Sequence, residues 1–483
     1  MKLRDILKDL TILSATADLD TEIGGISYDS RNTKPGDLFV AVKGFSSDGH
    51  RFIPTAMEKG AAAVLCEDAP ADGTPYVQIK DCRLGLALSS RSFYGNPAGD
   101  MTVIGITGTS GKTSSSYLIK HLLEAALGAK VGLIGTNGNM IGEEFIHSEF
   151  TTPESHELQQ LFRRMADAGC THVVMEVSSH SLALERVAGV RFDVALYTNL
   201  SQDHLDFHHT MEEYAAAKKK IFSMCAKACV NADDAHAAYM LDGVDCPCLR
   251  YAIDAEADLC ADKLELDASG VRFEATYGSS RAAVSLGIPG LFSVHNALGV
   301  IAVGLSLGLT LQECAAALAT ASGVKGRLEN VPTDGDYAII IDYSHKPDAL
   351  ENALKTLRDV TRGRLIVLFG CGGDRDRLKR PIMGAIAADN ADLVIVTSDN
   401  PRTEEPESII DEIMAGLKDK HTPVLRICDR TEAIQSAIDN ARSGDVILLA
   451  GKGHEDYQIV GHEKHHMDER EIVADYLKTR KKI

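Results

Sequence analysis

No run of about 18 apolar residues occurs in the 483-residue chain, which argues against a membrane-spanning helix. Ser/Gly and Gln/Asn tracts are also missing, so wholesale disorder is excluded. Positive charge is scarce. Against 69 Asp and Glu stand 50 Lys and Arg, and the net charge of −19 disfavours nucleic acid and anionic membranes as partners. Anionic phosphates still fit, provided the groups that hold them are local. Zinc-type cysteine spacing is lacking. The 11 cysteines are scattered, with only Cys246 and Cys248 close and Cys225 and Cys229 a helical turn apart, so free thiols in a reducing compartment are expected. The opening MKLRDILKDL is amphipathic, carries interleaved acids and has no signal-peptide core, so a cytoplasmic protein is expected.

What is present is a long chain with an ordinary balance, 45% hydrophobic and 25% charged residues, for which two to four domains are expected. Residues 1–98 read as a small α/β unit, with apolar runs Leu38–Val42 and Ala61–Cys66 between turn-rich stretches. From 99 to 328 strand, loop and helix alternate. Thr102–Ile106, Val131–Ile134, His172–Val177 and Val194–Tyr197 are strands, Ser114–Leu127 is a helix, and a mainly parallel, doubly wound sheet follows. Residues 261–289 alternate like antiparallel strands, with Val271, Phe273 and Ala275 on one and Ala283, Ser285 and Gly287 on the next. A helix over about Val294–Leu307 closes the segment. Residues 329–483 form a third α/β unit, with buried-strand candidates Ala338–Ile341, Leu365–Phe369, Leu393–Thr397 and Val446–Ala450.

The sharpest motif is Gly105-Ile-Thr-Gly108-Thr109-Ser110-Gly111-Lys112-Thr113, which follows a strand and opens a helix. Its glycines let backbone N–H groups wrap a polyphosphate, and the helix N-terminus adds positive charge. Lys112 can reach the outer phosphates and the Thr113 hydroxyl can ligate Mg²⁺. Further on, Val173-Val-Met-Glu176-Val-Ser178-Ser-His180 is a strand ending in a carboxylate and hydroxyls, placed where ligands bind in open α/β sheets. Thr198-Asn-Leu-Ser-Gln-Asp-His204 ends the next strand; its His and acids suit either a metal shell or a capped loop. Tyr214-Ala-Ala-Ala-Lys218-Lys219-Lys220 reads by itself as a helix with a solvated cationic face.

Together TGTSGKT, MEVSSH, TNLSQDHLDFH and YAAAK resemble the central domain of the Mur ligases and the related folylpolyglutamate synthetases. The resemblance implies an ATP site of Gly108, Thr109, Ser110, Gly111, Lys112, Thr113 and Ser114. It adds Asn296 toward the adenine, Arg327 at a domain junction, and Asp342 and His345 in DYSHKPDAL. That last run departs from the family's DYAHTPDAL at Ser344 and Lys346. It also implies that Lys218 is carbamylated and joins Thr113, Glu176 and His204 in organising Mg²⁺, with Lys112, Glu176, His204 and Lys218 the catalytic set. A carbamate beside Mg²⁺ is attracted where an ammonium would be repelled.

Tyr28-Asp-Ser30-Arg31 with PGDLFVAVKG and DGHRFI resembles the UDP-binding domain of members that add the third or final residues. Ser30 is thereby implied at the diphosphate, and Thr151, Thr152, Ser178 and Arg186 at the muramoyl dipeptide. Three glycine- and charge-rich segments follow three strands of the last unit: Phe369 to Pro381, Asp399-Asn400-Pro401-Arg402, and Gly451-Lys452-Gly453-His454-Glu455. DNPR resembles the signature of members that add meso-diaminopimelate, whose second carboxylate calls for guanidinium groups. Arg380, Asp399, Asn400, Pro401, Arg402, Gly451 and Glu455 are the implied diamino-acid set. The implied chemistry is attack of a carboxylate on the ATP γ-phosphate, then displacement of the acyl phosphate by an amine, in a monomer. A lysine-adding or folate-glutamylating ligase and a nucleotide switch that turns over no substrate remain the alternatives. The first would lack the N-terminal block and DNPR, and the second the amino-acid motifs.

Overall fold

The computed structural model describes every residue except 45, 46, 72, 149, 322 and 481–483. It comprises two compact units, one of Met1–Cys260 with Gly299–Cys314, the other of Ala261–Leu298 with Ala315–Ile483. None of the described helices is long and apolar enough to cross a membrane.

The first unit begins with a five-stranded sheet in the order Ser14–Ala15, Tyr76–Gln78, Ala63–Cys66, Asp37–Val40, Gly25–Ser27. Only its first pairing is antiparallel. Its larger sheet carries, side by side, Cys248–Ala252, Cys225–Asn231, Phe192–Tyr197, Thr102–Thr107, His172–Glu176 and Val131–Gly135, all parallel. Gly138–Ile141 and Glu144–Ile146 extend it antiparallel. Parallel strands lie between helices and are covered on both faces, hence their continuous apolar runs. Val173, Val174 and Met175 have no exposed surface. The register sets Glu176 opposite Ile106, and Ile106 opposite Leu196. Three loops therefore leave one sheet edge at one level: the glycine loop after Thr107, the MEVSSH segment after Glu176, and the TNLSQDH segment after Tyr197.

The expected helix after the glycine loop runs Lys112–Leu127, and the Lys218 segment is the helix Met211–Lys219. The strand Leu259–Asp267 begins in the first unit beside Cys248–Ala252 and continues into the second. There it neighbours Gly270–Tyr277, which pairs antiparallel with Ser280–Leu286. The expected alternation needs one correction. Val271, Phe273 and Ala275 are buried, but their partners are Leu286, Val284 and Ala282, whereas Ala283 and Gly287 are exposed. With a two-residue period, an offset of one residue reverses the face. Val284 and Leu286, the larger apolar residues of that strand, mark the face that is buried.

The main sheet of the second unit runs Glu329–Val331, Ala338–Asp342, Val446–Ala450, Leu365–Phe369, Leu393–Val396, Val424–Arg426, parallel after the first pair. Both faces are packed. Val367, Phe369 and Leu448 point to one core, and Ile366, Leu368, Ile447 and Leu449 to the other. Asp342 and Phe369 each lie opposite Ala450, and Phe369 opposite Val396. The loops after these four strands hence emerge together, at the edge where open α/β sheets generally carry their ligand crevice.

Candidate active site

In the first unit the glycine loop is shaped by what surrounds it. Gly108 has φ 151°, and a Cβ there would lie 1.9 Å from Thr198 Oγ1, so no other residue fits. Thr198 Oγ1 in turn donates to Ser110 O at 2.7 Å, and Ser110 N donates to Asn199 Oδ1 at 3.0 Å. The strand end after Tyr197 thus braces the loop. Lys112 Nζ donates to Gly108 O and Thr109 O, both at 2.9 Å. Burial lowers its pKa, opposed by Glu176 and Asp203.

Glu176 is 1% exposed, and its two oxygens accept from Thr136 N and Thr136 Oγ1, each at 3.0 Å. Thr136 Oγ1 lies 3.0 Å from Thr151 Oγ1. The neighbouring hydroxyls form one lattice: Thr152 Oγ1 donates to Glu176 O at 2.8 Å and accepts from Ser178 N at 3.1 Å. Arg186 donates to Thr152 O at 3.2 Å and pairs with Glu154 at 3.3 Å. Thr151, Thr152, Ser178 and Arg186 thus gather beside the Glu176 strand end.

Lys218 is the exception on a helix otherwise expected to expose its lysines. It is 1% exposed, donates to Gly108 O at 2.8 Å and sits 4.5 Å from the Tyr214 ring centre. Burial, with Lys112 nearby, holds its pKa well below the usual range. The His204 and Tyr214 ring centres are 6.2 Å apart, and the His204 ring meets His180 at 4.8 Å. Burial, reinforced by His180 and Lys218, holds His208 down to about 4. Among the described residues no three His, Cys, Asp or Glu side chains gather as a metal-holding group.

A cleft of about 730 Å³ opens in the N-terminal part of this unit, lined by Tyr28, Asp29, Arg31, Asn32, His156 and Glu157 among others. Ser30 is buried in its wall segment, and Tyr28 OH donates to Glu157 at 2.9 Å.

In the second unit Asp342 is buried and accepts from Leu328 N at 2.9 Å and from the Ser344 hydroxyl. Burial raises its pKa. The Arg327 guanidinium stacks 5.6 Å from the Tyr343 ring centre, and His345 Nδ1 bonds Tyr343 O at 2.8 Å. Asn296 is buried in the helix Leu291–Ser306. The DNPR segment is pressed against the first glycine-rich loop: a Cβ at Gly373 would lie 1.8 Å from Pro401 O. Arg402 has φ 51°, its backbone N donates to Ile459 O at 3.1 Å, and its guanidinium to Gly373 O at 2.8 Å. Asn400 Nδ2 donates to Glu455 Oε2 at 2.8 Å. The Gly451 backbone lies against the Asp399 carboxylate, 2.8 Å from the place a Cβ would take. Arg380 differs from Arg402. It has no exposed surface and is committed to Glu404 at 2.8 Å and Glu412 at 2.9 Å.

Comparison with known proteins matches these parts in order. The Mur ligase catalytic-domain family model matches residues 22–92, the Mur ligase middle domain 106–304, and the Mur ligase glutamate ligase domain 326–453. A UDP-N-acetylmuramoyl-L-alanyl-D-glutamate–2,6-diaminopimelate ligase of Caldanaerobacter subterraneus is 46% identical over 99% of both chains. The chain belongs to the Mur ligase family. A like-named ligase of Clostridioides difficile is 44% identical over 99% of both chains. A solved structure of a ligase of that name covers 100% of this chain and 99% of its own, with 32% identity and a TM-score of 0.78. This Mur ligase therefore has the three-domain α/β fold of its family and is an ATP-dependent ligase.

Some partners in this Mur ligase escaped the sequence. Thr136, which holds both oxygens of Glu176, follows the strand Val131–Gly135 and carries no motif. Lys452, Arg430 and Glu469 have no exposed surface and lie at the DNPR loop. Lys452 stood inside a quoted motif, so buried charge was the signal that could have found it.

Proposed function

We propose that this enzyme joins meso-diaminopimelate to the D-glutamate of UDP-N-acetylmuramoyl-L-alanyl-D-glutamate, releasing ADP and phosphate, in peptidoglycan precursor synthesis. The observation that carries the choice of amino acid is the contrast between two arginines. Arg380 is ion-paired with two glutamates, whereas among the described residues no carboxylate is ion-paired with half-buried Arg402. Arg402 is then the guanidinium left for a ligand carboxylate, and Arg380 contributes by fixing Glu404 beside it. Glu455, joined to Asn400, supplies the acceptor for the ammonium of the same head group. Asp399, Pro401 and Gly451 complete the pocket.

The reading assigns residues 1–98 to the UDP-sugar, 99–328 to ATP and 329–483 to the amino acid. Ser30 and the Tyr28–Glu157 cleft hold the UDP end, with Thr151, Thr152, Ser178 and Arg186 along the muramoyl dipeptide. Residues 108–114 cradle the phosphates, Asn296 is assigned to the adenine, and Arg327, Asp342 and His345 to ATP. The donors fit a hard cation: Thr113 offers a hydroxyl and Glu176 a buried carboxylate fixed by Thr136. Lys218 as an ammonium does not fit, but as a carbamate it does, and His204 completes the set. Mg²⁺, when bound, neutralises charge on the phosphates. Lys112 then stabilises charge on the transferring phosphoryl group, and the loop N–H groups orient it for in-line attack by the D-glutamate carboxylate. The amine displaces phosphate from the resulting acyl phosphate, so no protein nucleophile takes part.

The test compares meso-diaminopimelate with lysine. Arg402→Ala is expected to lose on the order of a hundredfold in kcat/KM for diaminopimelate, the loss of a charge-assisted contact of about 2–5 kcal/mol, and far less for lysine. Arg402→Lys is expected to recover part of it, since an ammonium lacks the fork geometry. Equal losses for both amino acids would make Arg402 a structural residue, and wild-type preference for lysine would overturn the choice of substrate.

A further inference from the structure

Lys452 is a buried cation that the mechanism above does not use. Its Nζ donates to Asn400 Oδ1 at 2.6 Å and Tyr457 O at 2.8 Å, and lies 3.4 Å from Glu455 Oε2 and 3.9 Å from Asp399 Oδ1. No part of its side chain is exposed. An ammonium taken fully out of water is costly unless its surroundings compensate it. Burial accordingly lowers its pKa, with Asp399 and Glu455 opposing and Arg430 adding to the drop. An apolar residue here would leave Asn400 Oδ1, Tyr457 O and the Glu455 and Asp399 carboxylates without this cation. The charge therefore has consequences for the cluster.

One consequence is orientation. Asn400 Oδ1 accepts from both Lys452 Nζ and Ile459 N, the latter at 2.9 Å, so Nδ2 is left to face Glu455 Oε2. The second is charge balance. The cluster at these strand ends holds three carboxylates, Asp399, Glu455 and Glu469, with Lys452 and Arg430 paired to them, and Arg402, which faces Tyr343 together with Asp399 and Glu455 but makes no ion pair of its own among the described residues. Arg430 joins the set through Glu469 at 2.8 Å and Asp399 at 3.9 Å. With Lys452 the sum is zero; without it the cluster is an anion.

We infer that Lys452 is a specificity-determining positioning residue: it keeps the cluster electroneutral, so that the pocket selects a zwitterionic amino-acid head group over a lone ammonium. A neutral pocket that presents one separated cation and one anion matches an ammonium with a carboxylate. A net anionic pocket rewards the bare ammonium of lysine, and this discrimination is a difference of two affinities. The inference rests on the reading that this loop cluster takes the diamino acid.

The experiment uses the full chain with ATP, Mg²⁺ and the UDP-dipeptide, and measures kcat/KM for meso-diaminopimelate and for lysine. Lys452→Gln retains a donor toward Asn400 and removes only the charge. The diaminopimelate-to-lysine ratio is expected to fall at least about tenfold, equivalent to 1.4 kcal/mol, through the amino-acid KM and with the ATP KM unchanged. Lys452→Gln combined with Asp399→Asn restores zero net charge, and its ratio is expected to return toward wild type. Equal losses for both amino acids in Lys452→Gln, or a double variant whose ratio stays low, would overturn the inference. The wild type measured first separates the two failures, because a wild type that does not ligate diaminopimelate removes the functional reading itself.

Discussion

Lys112→Ala is expected to lose at least about a thousandfold in kcat for ATP-dependent ligation, while folding normally. Among the described residues this ammonium hydrogen-bonds two carbonyls of its own loop, Gly108 O and Thr109 O. Removing it takes a cation from the neighbourhood of Glu176, but both Glu176 oxygens keep their hydrogen bonds to Thr136, so the melting temperature should move by only a few degrees. Catalysis is different. Phosphoryl transfer needs positive charge placed in advance where negative charge spreads, and no other cation stands in the glycine loop itself. Arg402 acts on binding of one substrate, whereas Lys112 acts on the transition state of the step that every substrate requires. Near-normal turnover with unchanged melting would remove the phosphate-loop assignment.

The second large effect is expected at Lys218. Lys218→Ala should lose on the order of a hundredfold or more in kcat, with partial recovery on adding acetate or formate. The physical ground is its surroundings. The amine is buried beside Lys112, and both burial and that neighbour favour its neutral form, the form that adds CO₂ and becomes an anion. That reaction forms one N–C bond and releases one proton, and it exchanges repulsion between two lysines for attraction. A small carboxylate supplies the same charge in the space that alanine leaves. Wild-type activity of the unrescued variant would sink the assignment, and a loss that no short carboxylate restores would sink the carbamate.

Much of this was legible because the signals are local. A glycine loop between a strand and a helix needs only its own residues, and the helix begins at Lys112 as the motif requires. The buried parallel strands announce themselves as apolar runs, since both faces are covered. The strand ends of the second unit were legible too, and the register of Asp342, Phe369 and Val396 around Ala450 brings their loops to one edge. What was hidden is long-range. Nothing near Arg380 shows that Glu404 and Glu412, 24 and 32 residues later, fold back to pair with it. The strands Cys225–Asn231 and Cys248–Ala252 were missed because Lys227 and Arg250 interrupt short apolar runs. The burial of Lys218, against the exposure of its neighbour Lys220, follows from which helix face meets the Gly108 carbonyl, which helical periodicity alone does not rank.

The most direct test of the central claim uses UDP-N-acetylmuramoyl-L-alanyl-D-glutamate labelled with ¹⁸O in the side-chain carboxylate of its glutamate, supplied with ATP, Mg²⁺ and meso-diaminopimelate. Mass spectrometry reads the product and the released phosphate together. The account predicts one new amide in a UDP-linked tripeptide and one ¹⁸O in the phosphate, with neither formed when any one of the three substrates is omitted. ATP hydrolysis without amide formation, or product accompanied by phosphate free of ¹⁸O, would contradict it.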